Sequence, residues 1–134
     1  MKYLFVLITA IISFQCSPKL SPDAGWSHKR WVVTEMKGVP VQQSESRRDA
    51  YINFDIADKK FNGNGGCNQI NGNYTINNSS INFGEVISTK MSCIDIAFEN
   101  VFLNTLSTVD RFEINGDDML LKRKKEVVLK LRAR

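Results

Sequence analysis

The sequence predicts an α+β domain rich in β-structure, in which a single helix packs on a curved antiparallel sheet. Three observations predict this class: apolar and polar residues alternate in many short segments, asparagine-glycine pairs punctuate the chain, and one segment alone repeats apolar residues at helical spacing. The length of 134 residues and the hydrophobic content of 43% suit one folded unit with a modest core.

Alternating apolar residues predict the strands. Ile52, Phe54 and Ile56 share one face of their segment, and polar residues occupy the other face. Segments of this kind occur at residues 31–36, 51–56, 60–64, 73–77, 80–83, 111–115, 119–123 and 127–132. Because parallel strands need long crossover connections, we expect antiparallel pairing. The predicted turns are the pairs that accept positive φ angles: Asn62-Gly63, Asn64-Gly65, Asn71-Gly72, Asn77-Asn78 and Asn115-Gly116.

One helix is predicted over residues 95–109. Its apolar residues recur at steps of three and four and define a single buried face: Phe98, Val101, Phe102, Leu106 and Val109. Ser92 or Asp95 is a candidate for the N-terminal cap. The carboxylates of Asp95 and Glu99 are placed to interact favourably with the positive end of the helix dipole.

The N-terminus predicts export. Lys2 precedes an apolar run that ends after about a dozen residues, too short for a helix that crosses a membrane. A cysteine just after such a run resembles the bacterial lipobox, which implies that residues 1–16 are a signal peptide ending at an acylated Cys16. An ordinary secretory signal with an incidental Cys16 is the alternative. Residues 17–29, rich in Ser, Pro and Gly, predict a flexible linker to a domain over residues 30–134.

Two further cysteines, Cys67 and Cys93, favour a disulfide, because an exported protein meets an oxidising compartment. Two separate buried thiols remain the alternative. The two cysteines could also act in thiol redox catalysis, but such catalysis usually requires a closely spaced Cys-x-x-Cys pair. The spacing therefore favours a structural bond.

The sequence predicts no catalytic, metal or cofactor site. The sole histidine, His28, lies in the predicted linker, which disfavours hydrolase and zinc chemistry. Residues 64–68 superficially suggest a phosphate-binding loop, yet they lack the Lys-Ser/Thr ending of a P-loop, so we assign them a structural turn. The net charge of +4 is mild, with a basic cluster at residues 122–125, and we expect no nucleic-acid binding.

One block of residues is Gly65-Gly66-Cys67-Asn68, with Gly72 and Tyr74 after it, and a second is Thr89, Met91 and Cys93, with Glu99 after it. These two ordered blocks resemble the motifs of the META domain (HslJ-like) family. The resemblance covers about residues 31–131, and it implies an envelope location, association with stress response in some members, and no established reaction. The family's motif positions then carry over as fold determinants: Gly65, Gly66, Cys67, Asn68, Gly72, Tyr74, Thr89, Met91, Cys93 and Glu99.

These features predict a non-enzymatic lipoprotein of the cell envelope, anchored on the periplasmic or outer-membrane side. Its partners would be the membrane, through the lipid on Cys16, and an envelope protein; the sequence leaves the oligomeric state open. A thiol-disulfide redox protein acting through Cys67 and Cys93 is the alternative. A third hypothesis is a basic module that holds anionic surface polymers through residues 122–125.

Overall fold

A computed structural model describes residues 25–42, 49–94 and 96–134 of the chain. Within these residues it contains nine strands and one helix. In chain order they are β1 (Trp31–Met36), β2 (Val39–Pro40), β3 (Tyr51–Asp55), β4 (Lys60–Asn64), β5 (Gln69–Asn77), β6 (Ser80–Ser88), α1 (Ile96–Leu106), β7 (Arg111–Asn115), β8 (Asp118–Arg123) and β9 (Glu126–Ala133). The predicted α+β, strand-rich class is confirmed.

The prediction was a curved sheet, and the observed sheet closes into a ring. The strands follow the order β2-β1-β3-β4-β5-β6-β7-β8-β9, and β1 pairs with β9 as well as with β3. Each of these pairings is antiparallel. Strands β1 and β3–β9 therefore form a closed ring, with the two-residue β2 beside the end of β1.

The ring is joined unevenly. Strand β1 has five paired positions with β9, whereas β6 and β7 share one, between Ser80 and Arg111. Two backbone hydrogen bonds flank that position, from Ile81 N to Asp110 O at 3.1 Å and from Phe112 N to Ser79 O at 3.0 Å. Helix α1 is part of the connection between these two strands. The β6–β7 junction is thus the thinnest part of the ring.

The ring encloses the hydrophobic core. Its largest fully buried side chains come from strands all around the ring and from the helix, and they include Trp31, Ile52, Phe61, Ile70, Ile81, Phe102, Leu106, Met119, Leu121, Leu129 and Leu131. Trp26 is also buried, although it lies in the predicted linker over residues 17–29. Its ring packs edge-on against Phe54, and its carbonyl accepts a hydrogen bond from Trp31 Nε1 at 2.8 Å. Trp26 therefore belongs to the fold rather than to a linker.

Two of the predicted turns are wrong. Asn62-Gly63 lies inside β4, and Asn71-Gly72 lies inside β5. Glycine is needed there for close packing: a Cβ on Gly63 would lie 1.9 Å from Tyr51 O, and one on Gly72 would lie 2.6 Å from Glu85 O. Turns do occur at the other predicted sites, where Asn78 has a φ of 52° and Gly116 a φ of 62°.

The helix is shorter than predicted, and its buried face agrees with the prediction only in part: Phe102 and Leu106 are buried as expected. It ends at Leu106, before the buried Val109, and Asp95 lies outside the described residues. Val101, predicted to be buried, is 42% exposed. The buried residues of α1 are Glu99, Phe102, Thr105 and Leu106. Two of these are polar, so apolar spacing alone misplaced the face; the Thr105 hydroxyl is satisfied by donating to Val101 O at 2.7 Å.

Candidate functional site around the Cys67–Cys93 disulfide

A tight loop connects β4 to β5 at residues 65–68. Gly65 N donates to Asn68 O at 2.8 Å, and Gly66 N donates to the Asn64 side-chain oxygen Oδ1 at 2.7 Å. Gly66 has a φ of 109°, a conformation that residues with a Cβ rarely adopt. The two glycines thus allow the loop to fold back and present Cys67 and Asn68 to the interior.

The loop is bonded covalently to the segment between β6 and α1. Cys67 and Cys93 form a disulfide with their Cα atoms 6.0 Å apart, in agreement with the predicted pairing. Cys67 is buried at 2% exposure, and Cys93 is half-buried. The bond links residues 26 positions apart, so it holds the approach to the helix against the β4–β5 loop.

The side chain of Asn68 reinforces the same junction. Its Oδ1 accepts hydrogen bonds from Met91 N at 2.7 Å and from the Thr89 hydroxyl at 2.9 Å. The Thr89 backbone adds a bond from its N to Gln69 O at 3.1 Å. Because Asn68 is 1% exposed, these bonds replace the water that its amide would otherwise bind.

Glu99 completes the arrangement from the helix. Its carboxylate, 2% exposed, accepts hydrogen bonds from Asn68 N at 2.6 Å and Cys67 N at 3.2 Å on Oε2, and from Asn68 Nδ2 at 2.9 Å on Oε1. The Ser88 hydroxyl lies 3.3 Å from Oε1. Hydrogen bonds to charged groups contribute about 1.5–3 kcal/mol each. We call Cys67, Asn68, Thr89, Met91, Cys93 and Glu99 the disulfide cluster.

The loop glycines make room for the helix. A Cβ on Gly65 would lie 2.8 Å from both Cγ and Oε2 of Glu99, and a Cβ on Gly66 would lie 2.9 Å from the Phe98 ring. Any larger residue would push the loop off α1 and separate Glu99 from its backbone donors. Gly65 and Gly66 are therefore required by the disulfide cluster, as the motif suggested.

Two motif residues lie elsewhere. Gly72 packs against β6 and the Phe61 ring, and Tyr74 is a core residue whose hydroxyl donates to Asp55 O at 3.2 Å. Burial, with the nearby Asp55 carboxylate, raises the pKa of Tyr74. The motif therefore divides into eight residues at or against the disulfide junction and two that shape the sheet.

The structure gives Glu99 a role that sequence reasoning missed. The sequence predicts that its carboxylate interacts with the helix dipole, whereas its contacts are with the loop at residues 67–68. One signal was available: Glu99, Phe102 and Leu106 follow the i, i+3, i+7 spacing of a single helix face. An acidic residue on that face must be buried with partners, and Asn68 supplies them.

The buried polar side chains of the disulfide cluster all have hydrogen-bond partners. Among the described residues, no buried side-chain nitrogen or oxygen lacks a hydrogen-bond partner. Within the same residues, no group of three histidine, cysteine or acidic side chains could hold a metal ion. His28 lies apart, exposed, at a groove that it shares with Asn53 and Asp55.

The basic residues 122–125 lie at the end of β8 and in the turn that leads to β9. Lys122 pairs with Glu113, and the backbone N of Lys124 donates to Asp110 Oδ1 at 2.8 Å. Arg123, Lys124 and Lys125 are exposed.

The structure does not test the predicted membrane anchor, because the predicted lipidation site, Cys16, lies outside the described residues. In the described part of the chain, no helix is both long and apolar enough to cross a membrane.

Solved structures share this fold. A protein from Burkholderia xenovorans, solved by NMR, has a TM-score of 0.68 and 18% identity, with 100% of this chain and 98% of that chain covered. Another NMR structure has a TM-score of 0.65 and 18% identity, covering 84% of this chain and 94% of that one. A DUF4847 family protein from Bacteroides vulgatus, solved by crystallography, has a TM-score of 0.58 and 16% identity, with 80% of this chain and 93% of that chain covered. At such low identity the likeness shows the fold alone.

A family comparison is more specific. No curated protein matches the chain. The model of the META domain family matches residues 24–134, a range that contains the ring, helix α1 and the whole disulfide cluster. It also includes Trp26, which packs in the core. The chain belongs to the META domain family.

Proposed function

We propose that the chain is a non-catalytic module of the cell envelope, held to a membrane by acyl chains on Cys16, that supports envelope integrity or stress response by binding. The observation that carries the proposal is the disulfide between Cys67 and Cys93 within a buried polar network. Disulfides persist in oxidising compartments and are rare where thiol reductants are abundant. The apolar leader before Cys16 supplies the route of export.

The packing of the disulfide cluster supports a structural rather than a catalytic role. A catalytic group must reach a substrate, yet Cys67, Asn68 and Glu99 are each at most 2% exposed. Their hydrogen-bonding groups already face one another or the main chain. Such fully satisfied networks fix a unique packing. We therefore assign the cluster to holding helix α1 against the sheet.

The same geometry argues against the redox alternative. Reactive cysteines occupy partly exposed, electropositive surroundings that favour the thiolate. Cys67 is instead buried, and the Glu99 carboxylate accepts a hydrogen bond from its backbone N at 3.2 Å. A reductant or substrate thiol would have to reach this buried sulfur to exchange with it. The disulfide is thus placed to persist rather than to exchange.

The anchoring part of the proposal has a direct test. The chain is expressed with its own leader in a bacterial host fed an alkyne-tagged palmitate, and membranes are separated from soluble material. We expect the tag on the native chain in the membrane fraction, because two or three acyl chains exceed the marginal hold of one. The Cys16→Ser variant should lose the tag. A native chain that is untagged and freely soluble would contradict the anchor.

The compartment is tested separately by the state of the cysteines. Denatured samples are treated with maleimide-polyethylene glycol, with and without prior reduction. We expect the Cys16→Ser variant, when exported, to react at Cys67 and Cys93 after reduction and at neither before it. Export with both thiols reactive before reduction would contradict the disulfide on which the proposal depends.

A further inference from the structure

Three asparagines form a row across the outer surface of the ring. Asn53 on β3 is in register with Asn62 on β4, which is in register with Asn71 on β5. Neighbouring strands lie about 4.8 Å apart, so the three amides stand side by side at that interval. Asn62 and Asn71 are exposed and Asn53 is half-buried. We call these residues the asparagine row.

Asparagine is an unfavourable choice at these positions. The amide side chain is depleted in strands, where Thr, Val or Tyr would serve better on a scale that spans about 1 kcal/mol. Natural chains tend to break such local rules at functional sites. Strands β3–β6 nevertheless carry six asparagines that are exposed or half-buried: Asn53, Asn62, Asn71, Asn73, Asn77 and Asn82.

The row retains unused hydrogen-bonding capacity. Asn53 Nδ2 donates to Asn62 Oδ1 at 3.0 Å, which orients the Asn62 amide and leaves both of its N–H groups pointing elsewhere. Within the described part of the chain, the Asn71 amide makes no side-chain hydrogen bond. A bound molecule would thus meet unused amide groups on Asn62 and Asn71.

A groove of about 500 Å³ opens beside the row, within the size range of ligand pockets. Asn53 and Asn62 line it together with Asp55 and His28. Ile56 and Ala57, from the turn after β3, add an apolar wall. The imidazole of His28, exposed at this groove, adds a further polar group and a flat ring.

We propose that the asparagine row and this groove bind a neutral oligosaccharide. Each sugar hydroxyl both donates and accepts a hydrogen bond, and so does each amide, while the C–H face of a sugar ring can pack on Ile56 and Ala57. The row is uncharged, and an anionic ligand would meet the Asp55 carboxylate in the groove. The proposal goes beyond the envelope role and does not depend on acylation of Cys16.

Calorimetric titration of the complete chain, kept in a sugar-free zwitterionic detergent, tests the site. The probes are cellohexaose, maltohexaose and chitohexaose, with hexagalacturonate as the acidic counterpart. We expect saturable binding of at least one neutral hexasaccharide and weaker or no binding of hexagalacturonate. The double variant Asn62→Thr, Asn71→Thr should bind about tenfold more weakly, as for one or two lost hydrogen bonds.

The controls separate binding from folding. Threonine favours strands, so the double variant should melt at or above the native temperature. Asn104→Ala removes an exposed amide from helix α1 and should bind as the native chain does. Absence of binding with all three neutral probes would overturn the proposal. So would undiminished affinity in the folded double variant, or a preference for hexagalacturonate.

Discussion

At the scale of single residues, Glu99 organises the disulfide cluster. A carboxylate buried without partners would be costly, but Glu99 receives two backbone N–H groups from the loop and the amide of Asn68. The family motif named every residue of the disulfide cluster. It did not show the helix carboxylate reaching the loop, because that contact joins residues 31 positions apart.

Glu99→Gln tests this role with a minimal change in shape. The side-chain amide can keep its oxygen toward the backbone donors only by turning its N–H₂ toward Asn68 Nδ2, which is also a donor. We expect the free energy of unfolding to fall by about 1–3 kcal/mol in urea titrations. Glu85→Gln, the same change at an exposed site on β6, should stay within about 0.5 kcal/mol. Equal effects of the two substitutions would contradict the network.

At the scale of elements, alternation and spacing predicted most strands and the existence of α1. The errors have physical causes. Gly63 and Gly72 serve close packing within strands, and a single sequence does not distinguish that use from a turn. The predicted helix face wrongly included Val101. The buried stripe contains two polar residues, Glu99 and Thr105, and a prediction from apolar residues alone does not include them.

A pair of alanine substitutions tests the orientation of α1. Phe102→Ala empties a fully buried site and should lower the free energy of unfolding by about 3–5 kcal/mol. Val101→Ala, at a position 42% exposed, should change it by no more than about 0.5 kcal/mol. Denaturant titration with a common slope measures both. A larger loss at Val101 than at Phe102 would contradict this orientation of the helix.

At the scale of the whole molecule, closure of the ring was beyond sequence reasoning. Period-two patterns show which face of a strand is buried, but they do not show that β1 meets β9, because those partners are nearly the whole domain apart. The same limit hid the asparagine row, whose members come together through register across three strands. Antiparallel order was predictable because every connection between strands except the one that contains α1 is too short for a parallel crossover.

The disulfide acts at this scale, because it closes a loop that contains β5, β6 and the approach to α1. With a separation of 26 residues, its loss should reduce the free energy of unfolding by about 3–4 kcal/mol in the chain-entropy treatment. Urea titrations with and without dithiothreitol measure the change. The variant Cys67→Ser, Cys93→Ser should be insensitive to the reductant; a native chain equally insensitive would show that the bond does not stabilise the fold.

Strand β1 is hydrogen-bonded along both sides, to β9 on one and to β3 and β2 on the other. It is also the first strand after Trp26. A pulling force from a tether upstream would therefore act on β1. To detach, this strand would have to break its hydrogen bonds to the neighbours on both sides at once. The first strand of the ring is thus held on both sides against pulling.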